Sequence, residues 1–119
     1  MGMLKKILAP TDFSDLSVRG VRYACRLAKD VGAEVTILNV VFVDESGINK
    51  REMAEHKQRL EEFVAMNVAD VGANLKMRKV VDSGQAYGTI VQRAENEQVD
   101  LIVMSSHGRS GLSRMLIGS

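Results

Sequence analysis

The sequence predicts an α/β fold with an open parallel sheet and helices on both faces. Apolar segments typical of strands alternate with amphipathic segments typical of helices, in the order β-α-β-α-β-α-β. Two of the strand segments are apolar at nearly every position, as expected for strands buried on both faces. The length of 119 residues fits one domain with a real core. We find no internal repeat or linker, so residues 1–119 are predicted to form a single domain.

The first strand and the first helix are bounded by stop signals. Residues 4–9 (LKKILA) form a short apolar run, and Pro10 stops it because proline cannot sit in a central ladder. The segment TDFSD supplies residue types that favour helix starts. Small or apolar residues then recur every three or four positions from Leu16 to Val31, and Gly32 is predicted to close this helix.

The second strand is predicted to be central. Residues 33–42 (AEVTILNVVF) are dense in β-branched and apolar side chains, with little polar alternation. A short loop leads to a long helix over residues 50–71, which Gly72 ends. On the exposed side of this helix, Glu55 and Arg59 are one turn apart and are predicted to pair.

The third strand is predicted to lie at an edge, because residues 74–81 (NLKMRKVV) alternate between polar and apolar. Gly84 begins a turn, and apolar residues at helical spacing between Tyr87 and Ala94 indicate the third helix. Residues 99–104 (VDLIVM) form the most continuous apolar strand of all. The chain then continues as SSHGRSGLSRMLIGS.

Composition argues against several classes of function. The net charge is +1, Trp is absent and aromatic residues make up 4%, so a nucleic-acid surface is not expected. No stretch approaches about 18 consecutive apolar residues, so no membrane partner is predicted. Cys25 is the only cysteine, which excludes an internal disulfide and disfavours a Cys-based zinc site. We therefore expect a cytoplasmic protein in which Cys25 is buried and inert.

A ligand is expected beyond the carboxyl ends of the strands, where open α/β sheets bind their ligands. The segment Ala9-Pro10-Thr11-Asp12 stands at the end of the first strand. The Gly- and Ser-rich residues 105–119 follow the last strand, and backbone amides in such a loop can cradle phosphate oxygens. The loop is not a Walker motif, because no Lys-Ser/Thr pair follows its glycines.

These residues resemble the universal stress protein family. The family's phosphate loop reads Gly, two residues, Gly, nine residues, Gly, then Ser or Thr, and the tail is similar to it through Gly108, Gly118 and Ser119. KILAPTDFS at the start, TILNVV in the second strand and VDLIVM followed by SSHGRSGLSR also resemble the family, as does the spacing from Gly84 to Ile90. The likeness covers the whole chain in the right order.

The resemblance implies a Rossmann-like sheet of order 3-2-1-4-5, usually in a homodimer, that binds ATP or AMP with little or no hydrolysis. Mg²⁺ or Mn²⁺ would be bound through the phosphates. Residues 10–12 would lie beside the base and ribose, and Val40 would offer its backbone to the adenine edge. Gly108, Gly118 and Ser119 would hold the phosphates. In chain order, the predicted nucleotide-binding residues are Ala9, Pro10, Thr11, Asp12, Val40, Met104, Ser105, His107, Gly108, Arg109, Gly118 and Ser119.

The chain departs from the family pattern at two points. The leading glycine of the pattern falls at Ser105, whose side chain either crowds the ribose and triphosphate or adds a hydrogen bond. Relatives continue beyond the position of Ser119 with about one helix and one strand. We therefore expect the fifth strand to be missing, and the domain to be either truncated at its C-terminus or covered by a partner subunit.

The sequence thus predicts a binding module rather than an enzyme. His107 has no clear partner to orient it as a base, and only Asp12 offers a carboxylate for a metal, so no catalytic residue is assigned. Asp12 can cap the first helix as well as contact a ligand. Two alternatives stay open: a slow ATPase, and a stress protein that binds no nucleotide and acts through dimer or partner contacts.

Overall fold

The structure is a computed structural model that describes residues 4–42, 47, 50–107 and 113–118, with residues 106–107 and 113–118 described by their backbone. No helix in these ranges is long and apolar enough to cross a membrane. In chain order the elements are β1 (Lys6–Pro10), α1 (Asp15–Val31), β2 (Glu34–Val41), α2 (Lys50–Asn67), α3 (Ala69–Gly72), β3 (Met77–Ser83), α4 (Ala86–Asn96), β4 (Leu101–His107) and β5 (Ser113–Gly118).

The predicted parallel sheet is confirmed. β3, β2, β1 and β4 lie side by side in that order, and each neighbouring pair is parallel. β1 is central, and every residue of it after Lys6 is buried. β3 pairs only with β2 and exposes Arg78 and Lys79, so it is the predicted edge strand, with charges that discourage pairing with other chains.

The other edge of the sheet differs from the sequence prediction, which expects the fifth strand to be missing. β5 runs antiparallel to β4 and pairs Ser113 with His107 at one end and Gly118 with Ile102 at the other. Without β5, the backbone groups on the outer edge of the apolar β4 would lack partners. Residues 113–118 (SRMLIG) satisfy them as a strand, although the Gly- and Ser-rich composition of residues 105–119 suggests a loop.

Two apolar cores lie on opposite faces of the sheet. Consecutive side chains of a strand point to opposite faces, so Ile7 enters one core and Leu8 the other. The larger core packs under α1 and α2, and the smaller one joins Leu8 and Leu38 to Ile90 and Ala94 of α4. This double burial explains why the strand segments are apolar at nearly every position.

The first helix has its predicted bounds, whereas the second is divided. α1 follows the N-cap Ser14 and ends at Gly32, which adopts the left-handed conformation with φ of 74°. The predicted helix over residues 50–71 breaks at Val68, which has φ of −134°, and α3 follows. The side-chain amide of Asn67 donates to the carbonyl of Phe63 at 3.0 Å, a local bond that competes with regular helix geometry.

Candidate functional site

A cavity of about 210 Å³ opens at the carboxyl edge of the sheet, between the start of α1 and the start of α4. Leu38, Val40 and Met104 from the strands and Ile90 from α4 give it apolar walls. Hydroxyl groups and one carboxylate from the turn between β1 and α1 give it a polar side. This is where an open α/β sheet binds its ligands, because side chains from several strands converge there.

The structure brings half of the predicted site residues together. The six that line the cavity are Pro10, Thr11, Asp12, Val40, Met104 and Ser105. Ala9 is fully buried in the larger core, one residue before the cavity begins. Gly108, Arg109 and Ser119 lie outside the described residues, and the contacts predicted for them stay predictions.

Gly118 is not brought to the cavity. It pairs with Ile102, which lies opposite Leu8 of β1, whereas the cavity begins at Pro10 and Met104. The offset of two residues is about 7 Å along the strand, toward the amino end of the sheet. The structure thus does not bring Gly118, which was predicted to hold the phosphates, to the residues that line the cavity, because residues 113–118 form a strand and not a loop. His107 ends β4, and its backbone pairs with Ser113.

Six further residues line the cavity and were not among the predicted set: Ser14, Leu16, Ser17, Leu38, Ala86 and Ile90. Ser14 could have been found from the helix-start segment TDFSD, since an N-cap at this edge must lie near the ligand. Ala86 and Ile90 could not, because no local signal tells which part of α4 covers the end of β1.

The turn after β1 is fixed by a chain of hydrogen bonds. The Thr11 N–H donates to the Leu38 carbonyl at 2.8 Å, and the Phe13 N–H donates to Thr11 Oγ1 at 3.0 Å. Ser17 Oγ gives its proton to the Ser14 carbonyl at 2.8 Å, so in its 2.7 Å contact with Thr11 Oγ1 it accepts. The hydroxyl groups of Thr11, Ser14 and Ser17 each donate a hydrogen bond within this network, which makes the turn a rigid part of the cavity wall.

Asp12 presents an ionised carboxylate at the mouth of the cavity. Partial burial opposes ionisation, but hydrogen bonds from the Ser14 hydroxyl and the Ser14 N–H together outweigh it and lower the pKa of Asp12. The predicted capping role belongs to Ser14, whose Oγ accepts the Ser17 N–H at 3.2 Å. Asp12 is thus free to accept hydrogen bonds from ligand hydroxyls or to face a cation, and it would repel a phosphate in direct contact.

The side chain of Ser105 packs under α1. A Cβ built on Gly20 would lie 2.8 Å from Ser105 Oγ and 2.9 Å from Ser105 N, so only glycine at position 20 admits this approach. The hydroxyl is buried and has no hydrogen-bond partner among the described residues. Of the two outcomes left open by the sequence, this placement disfavours crowding, because the hydroxymethyl group is held against α1.

The comparisons with known proteins agree with this architecture. The model of the universal stress protein family matches residues 3–119. The chain belongs to this family. Universal stress protein MJ0531 of Methanocaldococcus jannaschii is 33% identical over 98% of this chain and 73% of its own length. Universal stress protein MJ0577 of the same organism is 31% identical over 98% of this chain and 85% of its own length.

Solved structures show the same fold. The structure of MJ0577 has a TM-score of 0.68 at 29% identity, covering 93% of this universal stress protein and 80% of its own chain. A universal stress protein in complex with cAMP has a TM-score of 0.72 at 18% identity, covering 87% of this chain and 77% of its own.

The described part of this universal stress protein offers binding groups more than reactive ones. Cys25 is fully buried, and burial raises the pKa of its thiol to about 11, so it is protonated and inert at neutral pH. Within the described residues, no group of three or more His, Cys, Asp or Glu side chains could hold a metal ion. Among the described lining residues, Asp12 has the one carboxylate that could contribute to a metal site.

Proposed function

We propose that this universal stress protein binds an adenine nucleotide, ATP or AMP, in the cavity at the carboxyl edge. The observation that carries the proposal is the convergence of residues 10–12 and residues 104–105 around one apolar cavity with a polar side. The fold neighbour in complex with cAMP supports an adenine nucleotide as the class of ligand. The family resemblance of the glycine-rich tail supports a phosphate-bearing ligand.

The size of the cavity favours the base and ribose as its occupants. A volume of about 210 Å³ is below the roughly 300–1,000 Å³ of sites that enclose a drug-sized ligand. The adenine ring would lie between Val40 and Met104, and the ribose hydroxyls would donate to the Asp12 carboxylate. The phosphates would leave the cavity toward Gly108 and Arg109, which follow β4 in the sequence.

A divalent cation would accompany ATP through its phosphates. Asp12 is the one carboxylate among the lining residues that the structure describes, and two or three phosphate oxygens together with water molecules would complete the octahedral coordination. ATP is therefore expected to bind the protein more tightly in the presence of Mg²⁺ or Mn²⁺ than when a chelator removes the cation, because the cation screens the phosphates from Asp12. AMP depends less on the cation, since it carries one phosphate.

The proposed role is regulation and not turnover. Hydrolysis needs a group that positions the attacking water and a metal that neutralises the leaving phosphate. Among the lining residues that the structure describes, Asp12 can serve the second task, and no histidine, lysine or glutamine is present for the first. The proposed location is the cytoplasm, because a chain with one cysteine and therefore no internal disulfide suits a reducing compartment.

A second copy of the chain is the proposed partner. Within the described sheet, β5 pairs with β4 on one side only, so one row of its backbone groups is available for another strand. β3, at the opposite edge, exposes charged residues that discourage such pairing. Sedimentation velocity at several concentrations would show a dimer if the β5 edge pairs, and a monomer throughout would contradict it.

Isothermal titration with ATP, AMP, cAMP and GTP tests the nucleotide proposal, and the variant Ala86→Phe tests its location. Ala86 is exposed on the first turn of α4 and lines the cavity, so a phenyl ring there would fill the space proposed for the base. Ala65→Phe is the matched control, because Ala65 is exposed on α2 and does not line this cavity.

We expect the wild type and Ala65→Phe to bind the adenine nucleotides alike, and Ala86→Phe to lose about tenfold or more in affinity. Equal affinities in the two variants would contradict the location. No heat and no competition with any nucleotide would favour the alternative of a protein that acts through partner contacts alone. Phosphate release that is abolished by Asp12→Ala would favour the alternative of a slow ATPase.

A further inference from the structure

A buried amide connects the cavity turn to the neighbouring helix. Asn39 lies within the apolar strand β2 and is 4% exposed. Its Nδ2 donates to the Thr11 carbonyl at 3.0 Å, and its Oδ1 lies 3.2 Å from Nδ1 of His56 on α2. Asn39 itself is not among the residues that line the cavity. A polar side chain buried in a strand needs partners, and these two are the ones it has among the described hydrogen bonds.

The hydrogen-bond pattern sets the tautomer of His56. Asn39 Oδ1 has only lone pairs, so the His56 Nδ1 must carry a hydrogen to bond with it. In the neutral ring this leaves Nε2 as the unprotonated nitrogen, and the bond also survives in the imidazolium form. His56 therefore fixes which way the amide of Asn39 points, and the amide in turn fixes the Thr11 carbonyl.

Phe13 supplies a second connection between the turn and α2. Its φ of 69° lies in the left-handed region, which costs about 1–3 kcal/mol for a residue other than glycine unless the surroundings hold it. The ring lies 5.8 Å from the ring of Phe63, and the guanidinium of Arg59 lies 4.6 Å over it. Arg59 thus packs on Phe13, although the sequence predicts that it pairs with Glu55. That prediction is wrong, because Glu55 forms its ion pair with Arg51.

We propose that Asn39 and His56 are positioning residues for ligand binding: the pair holds the Thr11 carbonyl, and through it keeps Thr11 and Asp12 directed at the cavity. This inference rests on the proposed nucleotide function. Neither side chain needs to touch the ligand. Loss of the pair releases one side of the turn, so the ligand has to order it again on binding, and affinity falls without loss of the fold.

The variant Asn39→Asp tests the pair, and Asn67→Asp is its matched control. Both asparagines donate Nδ2 to a backbone carbonyl at 3.0 Å, but Asn67 bonds to Phe63 within α2, whereas Asn39 bonds to Thr11 of the turn. We expect Asn39→Asp to weaken the binding of ATP and AMP about tenfold in isothermal titration, and Asn67→Asp to leave the affinity unchanged.

Amide hydrogen exchange of the ligand-free protein supplies a readout that needs no nucleotide. The N–H groups of Phe13 and Ser14 are bonded within the turn, to Thr11 Oγ1 and Asp12 Oδ1, and report its order directly. Exchange over residues 11–17 is expected to be about tenfold faster in Asn39→Asp than in the wild type, and unchanged in Asn67→Asp. If the two aspartate variants behave alike in both measurements, the positioning role is overturned.

His56 gives a second pair of variants should Asn39→Asp not fold. An asparagine at position 56 keeps an N–H donor where the imidazole has Nδ1, whereas leucine removes it. We expect His56→Leu to weaken nucleotide binding and speed exchange of the turn, and His56→Asn to restore both; failure of that rescue counts against the pair. A wild type that binds no nucleotide overturns the proposed function, while the exchange comparison still decides whether the pair holds the turn.

Discussion

Gly20 of α1 lies close to Ser105 of β4, with no room for a larger side chain at position 20. A methyl group at position 20 would lie 2.8 Å from Ser105 Oγ, 2.9 Å from Ser105 N and 3.2 Å from the Met104 carbonyl carbon. We predict that Gly20→Ala lowers the free energy of unfolding by about 1–3 kcal/mol, because helix and strand must separate. Urea denaturation measures the change.

Gly88→Ala is the control for this prediction. Gly88 is also helical, and a Cβ there would meet nothing within 4 Å, so alanine should raise stability by about 0.5–1 kcal/mol through helix propensity. Adding Ser105→Gly to Gly20→Ala removes the hydroxyl contact but not the backbone contacts, so we expect a partial recovery. If Gly20→Ala proves as stable as Gly88→Ala, α1 does not approach β4 as closely as described.

Gly20 and Ser105 also show what the sequence could not predict about single residues. The sequence shows that Ser105 replaces a glycine of the family pattern, but not which way its side chain points. That direction depends on Gly20, which is 85 positions earlier in the chain and is itself unremarkable in a helix. Asn39 left a clearer signal, since a polar residue inside a run such as TILNVV must find a buried partner.

At the scale of elements, α4 is held on the edge strand β3 by a cluster of charged side chains. Arg93 contacts both oxygens of Asp82 on β3, at 2.5 and 2.8 Å, and Glu97 at 2.5 Å. Glu97 also accepts a bond from Arg78 at 2.8 Å. These contacts raise the pKa of Arg93, chiefly through Asp82. Because α4 also carries Ile90 into the cavity, the cluster supports one wall of the site.

We predict that Arg93→Met destabilises the fold by about 1–3 kcal/mol and also weakens nucleotide binding, because the carboxylate of Asp82 loses its described partner and Glu97 keeps only Arg78. The control is Arg51→Met, which removes the pair with Glu55; those side chains are 88% and 65% exposed, so the loss should stay below about 0.5 kcal/mol. Thermal unfolding with titration calorimetry measures both effects. Equal losses in the two variants would show that the cluster is too well solvated to hold α4.

The contact between α1 and α3 gives a prediction about pH. Arg22 binds both oxygens of Asp70, at 2.7 and 2.9 Å, and these bonds lower the pKa of Asp70 from 3.8 to about 2. A carboxylate whose pKa is lower when folded stabilises the protein above its unfolded pKa and ceases to do so as pH falls through the folded one. The wild type should thus be more stable than Asp70→Asn at neutral pH, and the difference should vanish between pH 3.8 and about 2.

Urea midpoints of the two proteins from neutral pH down to about pH 2 measure this difference. Added salt should reduce it throughout, because Asp70 is well exposed to solvent. A gap between wild type and Asp70→Asn that persists unchanged at the acid end would mean that another group is responsible.

Most element types were predictable because their signals are local. The period of α1, the continuous apolar run of β2 and the alternation of β3 each follow from which faces are buried. The break at Val68 and the strand β5 were not predictable, because in each case two structures compete. At the break, the hydrogen bond from the Asn67 amide competes with continuation of the helix. At the sheet edge, pairing with β4 competes with a loop conformation of residues 113–118. The same competition decides why Gly118 lies away from the cavity.

At the scale of the molecule, the edge position of the cavity was predictable and its walls were not. Parallel strands of order 3-2-1-4 bring the ends of β1 and β4 together, which follows once the topology is known. That α4 covers this edge is a matter of tertiary packing between Ile90 and Leu38. The site thus joins the ends of β2, β1 and β4 with the turn after β1, the start of α1 and the start of α4, so a ligand that fills it contacts both halves of the chain.

A ligand that touches these elements should stabilise the domain as one unit. At a free concentration of about 100 times the Kd, binding adds roughly 2.7 kcal/mol to the free energy of unfolding. For 119 residues unfolding together, this corresponds to a rise in Tm of about 10 °C. Differential scanning calorimetry with ATP and Mg²⁺ should show one transition moving upward, and a chelator should shrink the shift for ATP more than for AMP. Ala86→Phe should lose the shift while Ala65→Phe keeps it. Two separate transitions, with only one responding to the nucleotide, would mean that the cavity is not shared by the whole fold.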